Sequence, residues 1–129
     1  MAIWILRNNK MIPELKRLHS PDIIDLINYA PEDSSSFSLL VQAMVGPKGE
    51  NWEESFDIDV CTPSWIEKNQ KHDEVLIARH FLIVLEYDYR NIVKTINDFL
   101  KNCSGENWDE VALKVSRLGL WEFEDYIEE

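Results

Sequence analysis

The sequence contains few of the residues on which common catalytic and phosphate-binding motifs depend. Only four glycines occur among its 129 residues. Its one glycine-rich turn, Gly46-Pro47-Lys48-Gly49, precedes a strand-like segment and not the helix that a phosphate-binding loop requires. The G-x-S-x-G nucleophile elbow is also absent. The sequence therefore offers no motif for a nucleotide phosphate and none for a serine nucleophile on an elbow.

Cysteine and histidine are scarce as well. Cys61 and Cys103 are far apart, and together with His19, His72 and His80 they form no C-x-x-C or H-x-x-x-H pair. Structural zinc sites normally use such close pairs, so we predict no metal. Free buried thiols in a reducing cytoplasm explain the cysteines better than a disulfide does. His80 precedes an apolar segment, and we interpret it as a strand-entry residue.

Long apolar runs are missing too. The segment Ala2–Leu6 is apolar, but it is too short to span a bilayer. It also lacks the charged start and the small-residue cleavage site of a secretory signal. We therefore predict a cytoplasmic chain, with Ala2–Leu6 as a short strand or an extension that packs on the body.

Basic residues are outnumbered by acidic ones, 13 to 24, which gives a net charge of -11. Residues 22–67 carry -9 and residues 104–129 carry -6. Such a chain repels phosphate backbones and anionic lipids, so we expect no nucleic acid and no membrane as partner. A basic protein partner is favoured. The simpler interpretation of the charge is a solvated, solubilising surface.

The length predicts one domain over residues 1–129 that can bury a core without disulfides or metals. A strand is predicted over Ile12–His19. Phe37–Val45 and the alternating segment Glu54–Cys61 are expected to pair as an antiparallel hairpin. Phe81–Leu85 is the most apolar run, and we predict it to be the central strand.

Helices are predicted in four places. A short helix over Asp22–Asn28 follows Ser20-Pro21, and another begins after the Thr62 cap. Asp88 caps a longer amphipathic helix. Its apolar stripe consists of Ile92, Val93, Ile96, Phe99, Leu100 and Cys103. The last helix begins at Asn107, where the spacing to Glu110 is that of a capping box.

The C-terminal tail is expected to leave this last helix as a strand. Gly119 is predicted to end the helix in the left-handed conformation. From Leu120 to Tyr126 the period becomes two, with Trp121 and Phe123 on one side and Glu122 and Glu124 on the other. The predicted fold is α+β: a mainly antiparallel sheet with two C-terminal helices packed on it and a final short strand.

Three carboxylate pairs and one tryptophan are the candidate functional residues. A solvated face is the simplest interpretation of the pairs, a partner-binding face is the second and an acid/base pair of a small hydrolase is the third. We predict no catalytic residue. The predicted partner-binding residues are Trp52, Glu53, Glu54, Asp57, Asp59, Glu122 and Glu124, with Trp52 as an aromatic anchor.

Several segments occur in a recognisable order along nearly the whole chain. They are Leu18-His19-Ser20-Pro21-Asp22, Pro31-Glu32-Asp33, Gln42-Ala43-Met44-Val45-Gly46-Pro47-Lys48-Gly49-Glu50, Glu54-Ser55-Phe56-Asp57, Cys61-Thr62-Pro63, Glu86-Tyr87-Asp88 and Trp121-Glu122-Phe123-Glu124-Asp125-Tyr126. Together they resemble the immunity protein 8 family of bacterial polymorphic toxin systems. Residues 1–11 lie outside the resemblance, and we interpret them as an N-terminal extension.

This resemblance implies an antitoxin. Such proteins are made beside a secreted or contact-delivered toxin domain, often a nuclease, and they bind it to protect the producing cell. The resemblance also implies a protein that is not an enzyme and needs no cofactor. Two alternatives from other classes remain: a small cytoplasmic hydrolase with a carboxylate pair, which predicts a deep pocket, and an acidic adaptor protein, which predicts an exposed apolar patch.

Overall fold

A computed structural model of the chain describes residues 10–125. In this range a five-stranded, mostly antiparallel sheet is combined with three helices, which confirms the predicted α+β class. The elements in chain order are β1 (Pro13–His19), β2 (Ser38–Pro47), β3 (Glu54–Cys61), α1 (Pro63–Asn69), β4 (Phe81–Ile83), α2 (Tyr89–Leu100), α3 (Trp108–Val115) and β5 (Leu120–Trp121). The predictions for Ala2–Leu6 and for Tyr126 lie outside the described residues.

The β2–β3 hairpin forms the centre of the sheet. It is antiparallel, with Val41 opposite Ile58, and it confirms the predicted pairing. Strand β1 pairs with the other edge of β2, and the register shifts between Leu15 and Arg17. Along its second edge β3 pairs with two short strands: β4 runs parallel to it, and β5 runs antiparallel to it near Phe56.

The prediction that Phe81–Leu85 is the central strand is wrong. Only Phe81–Ile83 is strand, and it lies at the end of the strand order. Ile83 is 54% exposed and Leu85 is 81% exposed. A continuous apolar run is compatible with several environments, because hydrophobicity alone does not report which strands will flank it.

The core lies on one side of the sheet, beneath α2 and α3. Alternate residues of β3, which are Phe56, Ile58 and Val60, are fully buried there. The helices contribute Ile92, Ile96, Leu100, Val111, Ala112 and Val115 to the same cluster. Within residues 10–125, none of the helices combines the length and apolar character needed to cross a membrane.

Three helix starts are confirmed by their caps. The Thr62 hydroxyl accepts hydrogen bonds from the backbone N–H of Trp65, at 3.2 Å, and of Phe37, at 3.1 Å. The Asp88 carboxylate accepts from Asn91 N at 3.2 Å, and the Asn107 side chain accepts from Glu110 N at 2.9 Å. The bonds from the amides of Trp65, Asn91 and Glu110 satisfy first-turn N–H groups that have no partner within their helix.

The helix predicted over Asp22–Asn28 does not form, and the segment is a series of bends. Polar side chains take its amide groups instead. Ser20 accepts from Asp22 N at 3.2 Å, and Asp25 accepts from Asn28 N at 3.2 Å and from the Asn28 side chain at 2.8 Å. Such local bonds compete with helix formation. The two bonds from Asn28 also lower the pKa of Asp25.

Gly119 follows the last helix for a different reason from the predicted one. Gly49, in the β2–β3 turn, is the glycine with positive φ, at 87°. At Gly119 an added Cβ would lie 2.9 Å from Phe56 Cβ, so glycine is required by close packing against β3. The strand that follows ends at Trp121, and a turn replaces the expected strand over residues 122–125.

Candidate partner-binding surface

The sheet has a second side, opposite the core, that carries most of its polar side chains. The register places His19, Gln42 and Asp57 side by side across β1, β2 and β3. Asp57 accepts a hydrogen bond from Gln42 Nε2 at 3.2 Å. We call this side the outer face; its half-buried residues on β2 and β3 are Leu40, Gln42, Met44, Ser55, Asp57 and Asp59.

Glu53 lies at the margin of the outer face. Its Oε1 is 2.8 Å from Arg17 Nε, so this ion pair connects β1 to the residue preceding β3. Arg17 is more than half exposed, and an exposed pair of this kind contributes little to stability. The guanidinium does, however, offset the negative charge of Glu53 on this side of the sheet.

Glu54, one of the predicted partner-binding residues, is directed away from the outer face. It has the same strand parity as Phe56, so its side chain lies on the core side of β3. Its Oε1 accepts hydrogen bonds from Trp108 Nε1 at 2.5 Å and from Trp121 Nε1 at 3.0 Å. One carboxylate thereby joins the beginning of α3 to β5.

Trp52 packs on Trp108, one of the two tryptophans bonded to Glu54. Its ring meets that of Trp108 edge-on, with centroids 4.9 Å apart, and the residue is 42% exposed. Trp121 stacks on Phe56 at 6.4 Å, and Phe123 meets Trp121 edge-on at 6.0 Å. Trp52 is thus a partly exposed aromatic residue that packs on Trp108 and lies just before Glu53 and the start of β3.

Glu122 and Glu124 fasten the C-terminal tail. Glu122 accepts from Ser55 N at 2.9 Å through its side chain and donates to Ser55 O at 3.1 Å through its backbone. Glu124 forms an ion pair with Arg79 at 2.6 Å. Arg79 was not predicted as the partner of Glu124, because the two residues are 45 positions apart in the sequence. Both glutamate side chains therefore bind other parts of the chain, whereas the predicted strand would have directed them outward, away from the body of the protein.

The two cysteine thiols are buried, and the His80 imidazole contacts a backbone carbonyl. Cys61 and Cys103 are free and buried, as predicted. Burial raises the pKa of both thiols, which keeps them in the less nucleophilic form at neutral pH. His80 Nε2 is 2.8 Å from Ser116 O, and this contact links the start of β4 to the end of α3. In the described part of the chain, no cluster of three or more His, Cys, Asp or Glu residues is arranged to hold a metal ion.

The family model described as Immunity protein 8 matches residues 13–126, which is most of the chain. The chain belongs to this family. No curated protein and no solved structure matches the sequence. The matched range includes every described strand and helix and all seven predicted partner-binding residues.

An immunity protein binds a cognate toxin, so the partner of this member of the immunity protein 8 family is a protein. Its seven predicted residues fall into distinct environments. Asp57 and Asp59 lie together on the outer face, and Glu53 lies at the margin beside Arg17. Glu54 and Trp52 both contact Trp108. Glu122 and Glu124 hold the tail.

Proposed function

We propose that this immunity protein neutralises a basic nuclease toxin in the cytoplasm by binding it through an acidic surface. The centre of that surface is the outer face with Asp57 and Asp59. The remaining predicted residues lie at the start of β3 and along the tail; they are Trp52, Glu53, Glu54, Glu122 and Glu124. The observation that carries the proposal is the pair Asp57 and Asp59, adjacent on one half-buried face of a chain with a net charge of -11.

The charge favours a nuclease as the partner. An enzyme that cleaves nucleic acid presents cations to the phosphate backbone. An inhibitor with carboxylates on a rigid sheet is complementary in charge to those cations. Close charge pairs across such an interface have coupling energies of about 1.5 to 7 kcal/mol. Because Asp57 and Asp59 project from the central hairpin, binding needs little rearrangement of the backbone.

The flanking residues have supporting roles in this proposal. Trp52, which precedes Glu53 in the chain, supplies an exposed aromatic surface, and tryptophan is a type of residue that often dominates binding energy. Glu54 acts by holding Trp108, on which Trp52 packs. Glu122 and Glu124 contribute negative charge while they keep the tail against β3 and Arg79.

The test compares two pairs of neutral, isosteric substitutions. Asp57→Asn with Asp59→Asn removes the central acids. Asp98→Asn with Asp109→Asn removes the same charge from α2 and α3, on the other side of the sheet. Calorimetry with the toxin domain encoded beside this chain should show at least about tenfold weaker binding for the first variant. The second should bind like the parent.

Growth rescue in cells that express the toxin domain gives the second readout. The parent and the Asp98/Asp109 variant should restore growth, and the Asp57/Asp59 variant should do so less well. Equal affinity and equal rescue by both variants would show that the outer face is not the interface. A parent that neither binds nor protects would contradict the antitoxin function itself.

A further inference from the structure

We propose that the unpaired edge of β4, over Phe81–Leu85, binds an extended segment of the toxin as an additional strand of the sheet. This inference rests on the proposed function, because it concerns how the same partner is held. It predicts main-chain hydrogen bonds between toxin and immunity protein beside the acidic outer face. The partner segment is expected to carry apolar side chains and at least one basic side chain.

The hydrogen-bond pattern shows which backbone groups of β4 are available. Asp59 N donates to His80 O at 3.0 Å, and Val84 N donates to Cys61 O at 2.9 Å. In a parallel ladder the residues that bond to the neighbouring strand alternate, so His80, Leu82 and Val84 face β3. Phe81, Ile83 and Leu85 then direct their N–H and C=O groups outward. Within residues 10–125 no strand pairs with that edge.

The two ends of the sheet differ in how they are protected. At the other end β1 has a charged strand, with Glu14, Lys16 and Arg17, and an irregular register between Leu15 and Arg17. Charges and bulges are the usual means by which proteins prevent unwanted strand addition. The β4 strand is only three residues long, but the pairing with β3 continues to Val84. The segment Phe81–Leu85 has no charge and no bulge, and it exposes Ile83 and Leu85. Such an edge is a template for strand addition.

A cleft runs beside the open edge. It has a volume of about 340 Å³ and lies between the chain from Leu82 to Glu86 and the first turns of α2. Leu82, Val84 and Ile92 give it apolar walls, and Glu86 and Asp88 supply carboxylates. An apolar side chain of an added strand fits the walls, and a lysine or arginine next to it would meet Glu86.

Charge decides between the toxin and a second copy of this chain as the occupant. Two copies with a net charge of -11 each repel one another, and each would bring further acids to Glu86 and Asp88. A basic toxin is attracted to the same groups. The edge also continues the proposed interface, because Phe81 is directly opposite Asp59 in the β3–β4 register.

The experiment blocks the edge at two positions, each with a matched control. Ile83→Pro removes an outward N–H and adds a ring at the edge, where proline is tolerated; Ile83→Thr keeps the N–H. Leu85→Lys places a cation on the edge, and Leu113→Lys makes the same change at an exposed leucine of α3. Ile83→Pro and Leu85→Lys should weaken toxin binding about tenfold or more. The control variants, Ile83→Thr and Leu113→Lys, should show a smaller loss of affinity.

Hydrogen exchange of the parent gives an independent readout. In the toxin complex the amides of Ile83 and Leu85 should exchange more slowly than in the free protein, whereas a complex that leaves both amides unprotected overturns the inference. Thermal melting should show that the four variants remain folded.

Normal affinity of Ile83→Pro and Leu85→Lys, with a parent that binds, also overturns the inference and leaves the proposed function standing. A free parent that is dimeric, with a monomeric Ile83→Pro variant, identifies a second copy as the occupant and likewise overturns it. A parent that does not bind the toxin overturns both.

Discussion

At the scale of single residues, Glu54 is the predicted acid whose side chain connects the most elements, because it joins β3 to α3 and β5. Its carboxylate accepts two indole N–H groups, from Trp108 and Trp121, that belong to different elements. A glutamate reaches both because its two-carbon side chain extends over the end of the core from the first residue of β3. Hydrogen bonds to a charged acceptor are stronger than those between neutral groups. We therefore interpret Glu54 as a residue that orients Trp52 and Trp121 and not as one that contacts the toxin first.

This role predicts a difference between two neighbouring substitutions. Glu54→Ala leaves two indole donors without their acceptor and should lower the free energy of unfolding by about 2 to 4 kcal/mol. Glu53→Ala breaks an exposed ion pair with Arg17 and should cost about 0 to 1 kcal/mol. Urea denaturation at neutral pH measures both values. Similar losses for the two variants would contradict the structural role of Glu54.

At the scale of elements, the connection between β1 and β2 is irregular, and yet it is anchored. Within residues 20–37 Leu26 and Phe37 are buried, although the segment has no helix and no strand. The Tyr87 hydroxyl donates to Leu26 O at 2.5 Å. The Tyr87 ring lies edge-on to Tyr29, at 5.1 Å, and to Phe37, at 5.8 Å. One tyrosine ahead of α2 thus holds the connection through polar and aromatic contacts.

Tyr87 should make the stability of this connection sensitive to alkali. Burial, with nearby tyrosines and Asp25, raises the pKa of Tyr87 to about 12, above the value of about 10 in an unfolded chain. Since the unfolded chain loses this proton first, the contribution of Tyr87 is complete below about pH 10 and is lost as the pH rises towards 12.

The matched variant is Tyr87→Phe, which keeps the ring and removes the titrating group. At pH 7 it should be less stable than the parent by about 0.5 to 1.5 kcal/mol, because the carbonyl of Leu26 loses its donor. Between pH 10 and 12 the difference should shrink, as measured by urea denaturation at each pH. A difference that stays constant over this range would show that the hydroxyl does not ionise with the shifted pKa.

The elements that could be predicted from the sequence are those fixed by local chemistry. Thr62, Asp88 and Asn107 marked the helix starts because a cap and its amide are three residues apart. The β2–β3 hairpin followed from alternation and a glycine turn. The position of β4 did not follow, since an apolar run does not indicate whether other strands will lie on both sides of it.

The candidate surface was less predictable than the fold because its contacts join distant parts of the chain. The side of Glu54 was available from its parity with Phe56, but its two acceptor contacts span 54 and 67 residues. The contact of Glu122 with Ser55 and the ion pair of Glu124 with Arg79 are equally remote in sequence. Asp57 and Asp59, inside the same regular strand, could likewise be assigned to their face by alternation.

At the scale of the whole molecule, the net charge of -11 should act mainly on the rate of association if the toxin is basic, as we propose. Long-range attraction accelerates encounter and is screened by salt, with a Debye length of about 10 Å at 0.1 M and about 3 Å at 1 M. Dissociation depends on contacts that are formed at close range and are less screened. The association rate of the parent is therefore expected to fall steeply with added salt, while the dissociation rate changes little.

The distribution of the charge makes this expectation specific. If encounter is guided by the outer face, removing Asp57 and Asp59 flattens the dependence of the association rate on salt. Removing Asp98 and Asp109, on the helices across the sheet, leaves it close to that of the parent. Stopped-flow measurements over a range of sodium chloride concentrations distinguish the two. Equal salt dependence in both variants would mean that the encounter is guided by the total charge of the protein and not by the acids of the outer face. Asp57 and Asp59 would then contribute to binding only after contact has been made.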